Sequence, residues 1–173
     1  MISRRKFIQM LSLFTIASYA EELLAYGEKD RVLNLYNTHT GERLNVRYCS
    51  CGIYDKEAID GINALLRCHY TNEIKAINRS VLDLLCDIKD IVDTDAEIHI
   101  ISGYRSPAYN NYLWSIGRGV VKDSLHLQGR AIDFYLPHIH NRKLFTLAKS
   151  FYAGGVGHYP DFVHIDNGRV RYW

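Results

Sequence analysis

The chain has 173 residues, 47% of them hydrophobic and 23% charged, which is typical of a single globular domain large enough to bury a core without structural metal or disulfides. The formal net charge is +2, and it becomes −1 when the first 20 residues, with three basic and no acidic side chains, are set aside. Because the remaining chain is not basic, we exclude a nucleic-acid partner.

The N-terminal segment has the layout of an export signal. Arg4, Arg5 and Lys6 precede an apolar run that ends near Ala20, and paired arginines before a phenylalanine resemble the twin-arginine type. The run is too short and too polar to predict a membrane span; an uncleaved anchor or a cytosolic amphipathic helix are the alternatives. We predict an export signal and linker over residues 1–30, a folded domain over 31–173, a periplasmic location and no other membrane contact.

The elements that follow predict an α+β domain. Alternating apolar and polar residues around a Thr-Gly turn predict a hairpin over 31–48. Helical spacing marks 55–68 and 78–92, and an isoleucine-rich strand follows at 96–102. The later predictions are a helix over 106–117 that starts at Ser-Pro, a strand at 129–136, a helix over 141–155 and short strands up to residue 173. Helices precede most strands, which favours an antiparallel sheet with helices packed on it over a parallel α/β fold.

The four cysteines do not form a metal-binding or redox motif. Cys49 and Cys51 form a C-x-C pair, which is too sparse for a four-ligand zinc site by spacing alone. Cys86 lies in an apolar helical pattern that is typical of a buried thiol. A bridge from Cys49 or Cys51 to Cys68 fits an oxidising compartment, and the sequence leaves the pairing open.

The strand at 129–136 carries the first polar residues of a predicted site. Because side chains alternate along a strand, Asp133 shares one face with Ala131 and Tyr135, while the opposite face is apolar and faces the core. His126 lies just before the strand, and Gly129 allows the backbone to bend between them. We therefore expect His126 and Asp133 to converge on one point.

A second histidine completes a three-ligand set. His164 shares a strand face with Phe162 and Asp166, and on a neighbouring antiparallel strand it would meet Asp133 across the sheet. Two histidines and one carboxylate, with a fourth position left for water, are typical of catalytic zinc. Zinc lowers the pKa of its bound water from 15.7 to about 7 and so supplies hydroxide at neutral pH, ready to attack a scissile carbonyl.

The composite motif S-x-H-x-x-G-x-A-x-D followed by H-x-D resembles a known family. The segments ISGYRSPAYNNYLWSIGRGVVKDSLHLQGRAIDFYLP and GGVGHYPDFVHIDNGRVRYW are similar to the periplasmic murein endopeptidase K family, within the D-Ala-D-Ala metallopeptidase and Hedgehog-like group. The resemblance extends from about Leu33 to Trp173. It implies a Hedgehog/DD-peptidase-like fold, Zn²⁺ bound by His126, Asp133 and His164, and hydrolysis of peptide cross-links in peptidoglycan.

The resemblance also implies roles for residues around the metal. Arg105, in the motif SGYRS, would bind or polarise the substrate near the scissile carbonyl, because a guanidinium stays charged and presents a planar fork of donors. For the general base, Asp161 occupies the position three residues before a histidine ligand, and His158 is the competing candidate. Asp166 is expected to orient a ligand, and Ser124 and Gln128 to support His126.

The leading hypothesis is therefore a monomeric zinc peptidase that acts on peptidoglycan stem peptides. Two alternatives remain open. The nearest enzymatic one is a D,D-carboxypeptidase or D-Ala-D-Ala dipeptidase. The other is a non-catalytic, zinc-containing peptidoglycan-binding module, since Hedgehog-type domains keep such a site without peptidase activity.

Overall fold

The computed structural model of the protein describes residues 29–92 and 95–173, so the predicted export signal lies outside the described residues. The strands are β1 (Arg31–Asn37), β2 (Arg43–Ser50), β3 (Ile53–Tyr54), β4 (Ile98–Ser102), β5 (Ala131–Tyr135), β6 (Gly155–His158), β7 (Val163–Asp166) and β8 (Arg171–Tyr172). The helices are α1 (Lys56–Leu65), α2 (Arg79–Val92), α3 (Pro107–Ser115), α4 (Asn141–Ser150) and a 3₁₀ helix (Leu125–Gln128). Within these ranges no helix has the length and apolar character that crossing a membrane requires.

All eight strands form one sheet in the order β3-β2-β1-β4-β5-β7-β6-β8. The predicted α+β class is confirmed, but the sheet is mixed rather than purely antiparallel, because β1 pairs with β4, and β6 with β8, in parallel. A parallel pair needs a long crossover connection. Between β1 and β4 the chain passes through β2, β3, α1 and α2, which supplies that crossover.

The core lies between the sheet and helices α1, α2 and α4. Helix α2 packs against β1, β7 and α4, and it buries Val81, Leu82, Leu85 and Ile88, the positions that its helical spacing predicts. Strand β1 contributes Leu33 and Leu35, both fully buried. Burial of these aliphatic side chains makes the main favourable contribution to the free energy that holds the sheet and helices together.

Helix α3 begins where the sequence predicts. The Ser106 hydroxyl accepts a hydrogen bond from the Tyr109 backbone N–H at 3.2 Å, and Pro107 occupies the first helical turn. A serine N-cap followed by proline satisfies orphan N–H groups at a helix start. This start fixes the position of Arg105, which directly precedes the cap.

No disulfide links the cysteines. None of the four thiols takes part in a disulfide; Cys49, Cys68 and Cys86 are buried and Cys51 is exposed. The fold therefore rests on its hydrophobic core, as the chain length allows.

Candidate metal centre

Strands β5 and β7 bring the first two predicted ligands together. Asp133 is paired with His164 in the antiparallel register, and Asp133 Oδ1 lies 2.7 Å from His164 Nδ1. The neighbours Ile132 and Phe134 are fully buried in the core. The alternation of side chains along β5 thus directs Asp133 to the opposite side of the sheet, as predicted.

A tight turn delivers the third predicted ligand. The 3₁₀ helix is capped by Ser124, whose hydroxyl accepts from the His126 backbone N–H at 3.4 Å. It ends at Gly129, which has φ +65 and lies so close to the Ala76 carbonyl that an added Cβ would be 2.3 Å from that oxygen. Glycine is required here by both conformation and space. The turn places His126 Nε2 at 3.3 Å from His164 Nδ1 and 3.2 Å from Asp133 Oδ2.

Each histidine is held through its other ring nitrogen. His126 Nδ1 lies 2.7 Å from the Gly103 carbonyl oxygen, and His164 Nε2 lies 3.0 Å from Asp166 Oδ2. A carbonyl or carboxylate oxygen can only accept, so these are the nitrogens that carry the protons in the neutral rings. The remaining nitrogens, Nε2 of His126 and Nδ1 of His164, are the ones that can present lone pairs to a cation, and without a cation His164 Nδ1 donates to Asp133 Oδ1 at 2.7 Å.

The carboxylate of Asp166 is itself fixed from several sides, as expected for a group that orients a ligand. It accepts from Arg171 Nη2 at 2.7 Å and from the backbone N–H groups of Gly155 and Gly168 at 2.9 and 2.8 Å. Burial alone would raise its pKa, but the hydrogen bonds from His164 and Arg171 outweigh burial and hold the pKa well below its usual range. The ring of His164 is therefore fixed by a permanently charged partner.

The resulting cluster has the chemistry of a metal site. One ligand atom each from His126, Asp133 and His164 lies within 4.8 Å of the others, and all three residues are buried. Three buried acceptors that face one another need a cation or a proton between them. Two imidazoles and a carboxylate, both imidazoles oriented by outer hydrogen bonds, fit Zn²⁺ with an open position.

The protonation of the cluster supports this description. Burial opposes the charged forms of Asp133 and His164, but the interactions of these two groups with their neighbours outweigh burial. The pKa of Asp133 is lowered by His126 and His164. Hydrogen bonds to Asp133 and Asp166 raise the pKa of His164 to about 9. The cluster is thus built to hold positive charge at its centre.

Arg105 lies beside the cluster with unused donor capacity. Its backbone N–H donates to the His126 carbonyl at 3.1 Å, and its side chain is buried with Nη2 at 3.6 Å from Asp133 Oδ2. The contacts to Ser102 and Asn110 are long, at 3.4 Å each, and Nε has no acceptor. A buried guanidinium with such weak partners has donors available for a ligand in the cavity.

A cavity of about 510 Å³ opens onto these residues. Besides Arg105, Ser124 and the three cluster residues, its wall contains Arg118, Asp123, Tyr159, Phe162, Arg171 and Trp173. Three arginines and three aromatic rings around a metal-type cluster suit a peptide that carries negative charge and apolar segments.

The structure does not bring the two expected general bases to this cavity. Asp161 is exposed in the turn between β6 and β7, and it lines a separate shallow pocket with His138 and His140. His158 is exposed at the end of β6 and packs edge-on against Phe145, with ring centroids 5.5 Å apart. The turn directs Tyr159 and Phe162, rather than Asp161, toward the cluster.

Several residues of the cavity were not predicted. Trp173, Tyr159 and Arg171 line it from the C-terminal part of the chain. Outside the cavity wall, the Gly103 carbonyl that holds His126 was not predicted either. The aromatic residues on both sides of FVHID are the signal that could have indicated a cavity wall. No sequence pattern marks a carbonyl acceptor such as that of Gly103.

Comparison with known proteins identifies the family of the chain. Residues 25–173 match the family model described as peptidoglycan L,D-endopeptidase MepK. The chain is 38% identical over 147 residues to peptidoglycan L,D-endopeptidase MepK of Escherichia coli K12 and of Shigella flexneri, covering 84% of this chain and 81% of each relative. It is 34% identical over 148 residues to the probable peptidoglycan L,D-endopeptidase MepK of Haemophilus influenzae, covering 84% and 80%. No solved structure gives a significant match. The chain therefore belongs to the peptidoglycan L,D-endopeptidase MepK family.

Proposed function

We propose that this protein is a zinc-dependent endopeptidase that hydrolyses peptide cross-links in peptidoglycan. The observation that carries the proposal is the convergence of His126 Nε2, His164 Nδ1 and the Asp133 carboxylate in a buried cluster that opens onto a cavity. The family relationship supports the reaction and the substrate, because the curated relatives are named peptidoglycan L,D-endopeptidases.

The ligand set assigns the metal chemistry. His126, Asp133 and His164 would hold the ion, which when bound supplies a water of pKa about 7 as nucleophile. Gly103 and Asp166 fix the two imidazoles in the tautomers that ligation requires. The three residues already lie together in the folded chain, and an ion that binds there displaces the proton between His164 and Asp133.

Arg105 is assigned to the scissile carbonyl. Its guanidinium lines the cavity next to Asp133, and its long contacts leave N–H groups free to donate to an oxygen that gains negative charge. Donors that are aimed in advance at developing charge stabilise a transition state without reorganising. Burial strengthens this interaction because the surrounding dielectric is low.

We assign proton transfer to a residue that lines the cavity. Among the residues that line the cavity, Asp123 is the one carboxylate besides the predicted ligand Asp133. Asp161 and His158 lie outside the cavity, as described above. A general base must come within hydrogen-bond reach of the proton it accepts, directly or through one water. Asp123 is therefore the better placed of these three groups.

Residues 1–30 are assigned as a twin-arginine-type export signal and linker that lead to the periplasm. The basic triplet before the apolar run supports this assignment. A protein that acts on peptidoglycan requires such a location. A fusion of residues 1–30 to a reporter should be exported through the twin-arginine route, and replacing Arg4 and Arg5 by lysine should retain the reporter in the cytoplasm.

The reaction is tested with defined cross-linked muropeptides and purified protein. With zinc, the protein should convert dimers into monomers, and a chelator, His126→Ala or Asp133→Ala should stop this conversion. Release of a single terminal amino acid instead would show a carboxypeptidase. Retention on sacculi with no turnover would show a binding module, and undiminished activity in either variant would contradict the ligand assignment.

A further inference from the structure

Trp173 is held firmly beside the metal-type cluster although it lies at residue 173, far along the chain from His126. Its backbone N–H donates to the Val156 carbonyl at 3.2 Å, and its own carbonyl accepts from the His158 N–H at 2.9 Å. The indole Nε1–H donates to the Tyr159 hydroxyl at 3.0 Å. Both the main chain and the ring are therefore fixed.

The indole rests on Gly157, and this contact requires glycine. A Cβ at position 157 would lie 2.6 Å from Trp173 Cε2, closer than such contacts occur. Gly157 has no left-handed φ, so the requirement comes from space alone. Gly157 pairs with His164 in the sheet. The contact with Gly157 therefore places the indole next to the His164 ring, with ring centroids 5.3 Å apart at an angle of 48°.

The ring is not needed to orient His164. That imidazole is oriented by Asp166, whose Oδ2 lies 3.0 Å from His164 Nε2. Nor is Trp173 a core residue, since 46% of its surface is exposed and it lines the cavity. Arg171 lies over the indole with its Cζ 4.9 Å from the ring centroid. The structure thus keeps a large apolar surface open next to the reaction centre.

We infer that Trp173 contacts the substrate and helps to determine specificity, with Gly157 as its seat. The exposed indole packs against the aliphatic part of the stem-peptide residue beside the scissile bond. This inference rests on the proposed function and extends it to one wall of the cavity. A rigid aromatic surface buries much apolar area at little entropic cost, so it binds substrate without taking part in the chemistry.

The kinetic test separates substrate contact from a structural role. Trp173→Ala should raise the KM for a soluble dimeric muropeptide about tenfold, the affinity lost with burial of about two methylene groups. The kcat and the zinc affinity should change by less than about threefold, because His164 keeps its hydrogen bond to Asp166. A fall in zinc affinity as large as the fall in kcat/KM would overturn the inference.

Gly157→Ala gives a second, independent variant. The added methyl group should displace the indole, raise KM as Trp173→Ala does, and add nothing further in the double variant. Gly61→Ala is the matched control, because its Cβ would meet only Leu44 Cδ2 at an ordinary 3.5 Å. Additive effects of Gly157→Ala and Trp173→Ala on KM would contradict the inference that Gly157 positions the indole.

Fluorescence of the metal-free protein gives a readout other than activity. The chain has two tryptophans, and Trp114→Phe removes the one that lies outside the cavity. The emission of Trp173 should then shift when the muropeptide binds, with binding followed in parallel by calorimetry. Binding without a change in emission would overturn the inference alone. A wild-type, zinc-loaded protein that neither binds nor cleaves the muropeptide would overturn the proposed function as well.

Discussion

His126 and His164 each use one ring nitrogen for the protein and keep the other for a ligand. This division depends on the groups behind them, and the stronger of these is Asp166, a fully buried carboxylate. A neutral amide at that position would hold the ring more weakly and leave Arg171 without its charged partner. The same residue thus fixes both the tautomer of a ligand and one wall of the cavity.

We therefore expect Asp166→Asn to lower zinc affinity about 10- to 100-fold, the usual cost of losing an outer hydrogen-bond partner of a metal ligand. Competition with a chromogenic chelator measures this directly. Asp161→Asn is the control, because Asp161 is exposed and outside the cavity. Equal zinc affinity in the two variants would contradict the role of Asp166.

The assignment of proton transfer is decided between Asp123 and Asp161. Asp123→Asn should lower kcat about 100-fold, within the range that general acid–base catalysis contributes. Asp161→Asn should stay within about threefold of wild type, since its side chain faces a different pocket. Steady-state kinetics on a soluble muropeptide separates them, and the reverse order would return the role to Asp161.

At the scale of elements, the site depends on how β4 leads into α3. Gly103 directly follows this strand, and a Cβ there would lie 2.6 Å from the Leu66 carbonyl oxygen, so the backbone at Gly103 lies directly against Leu66. The Leu66 carbonyl also accepts from the Tyr104 N–H at 2.8 Å. This contact positions the Gly103 carbonyl that holds His126.

Gly103→Ala should consequently weaken both folding and zinc binding, because the backbone must move away from Leu66 and carry the acceptor of His126 with it. We expect a loss of about 1–3 kcal/mol in the free energy of unfolding, typical of an overpacked site. Urea unfolding and zinc titration measure the two effects. Unchanged zinc affinity in a destabilised protein would show that the acceptor does not depend on this contact.

For the whole molecule, the sequence predicted the features that depend on local residue patterns. Side-chain alternation in β5 and β7 and a glycine turn were enough to bring His126, Asp133 and His164 together. The two parallel strand pairs depend on long crossovers and were not foreseen. The direction of Asp161 depends on a turn, and the place of Trp173 on pairing with β6, neither of which has a local signal.

Distant segments also meet at His69, a half-buried ring stacked on His39 at 3.8 Å and edge-on to Tyr109 at 4.7 Å. Burial, with smaller contributions from His39 and Arg105, lowers the pKa of His69 from 6.5 to about 4. The unfolded chain therefore binds this proton more readily. Stability that is present above pH 6.5 is lost as the pH falls toward 4.

Replacing His69 by glutamine should flatten the pH dependence of the free energy of unfolding between pH 6.5 and 4. Because the ring is partly exposed and screened by solvent, we expect a difference of about 1 kcal/mol across this window. Urea unfolding at several pH values measures it, with exposed His140→Gln as the control. Parallel curves for wild type and His69→Gln would show that His69 does not titrate in this way.

The position of bound zinc is the decisive test of the ligand assignment. In a crystal of the zinc-loaded protein, anomalous diffraction at the zinc edge should give one peak about 2.0–2.2 Å from His126 Nε2, His164 Nδ1 and an Asp133 oxygen. A peak at any other group of side chains, or no peak within this cavity, would contradict the assignment of His126, Asp133 and His164 as the zinc ligands.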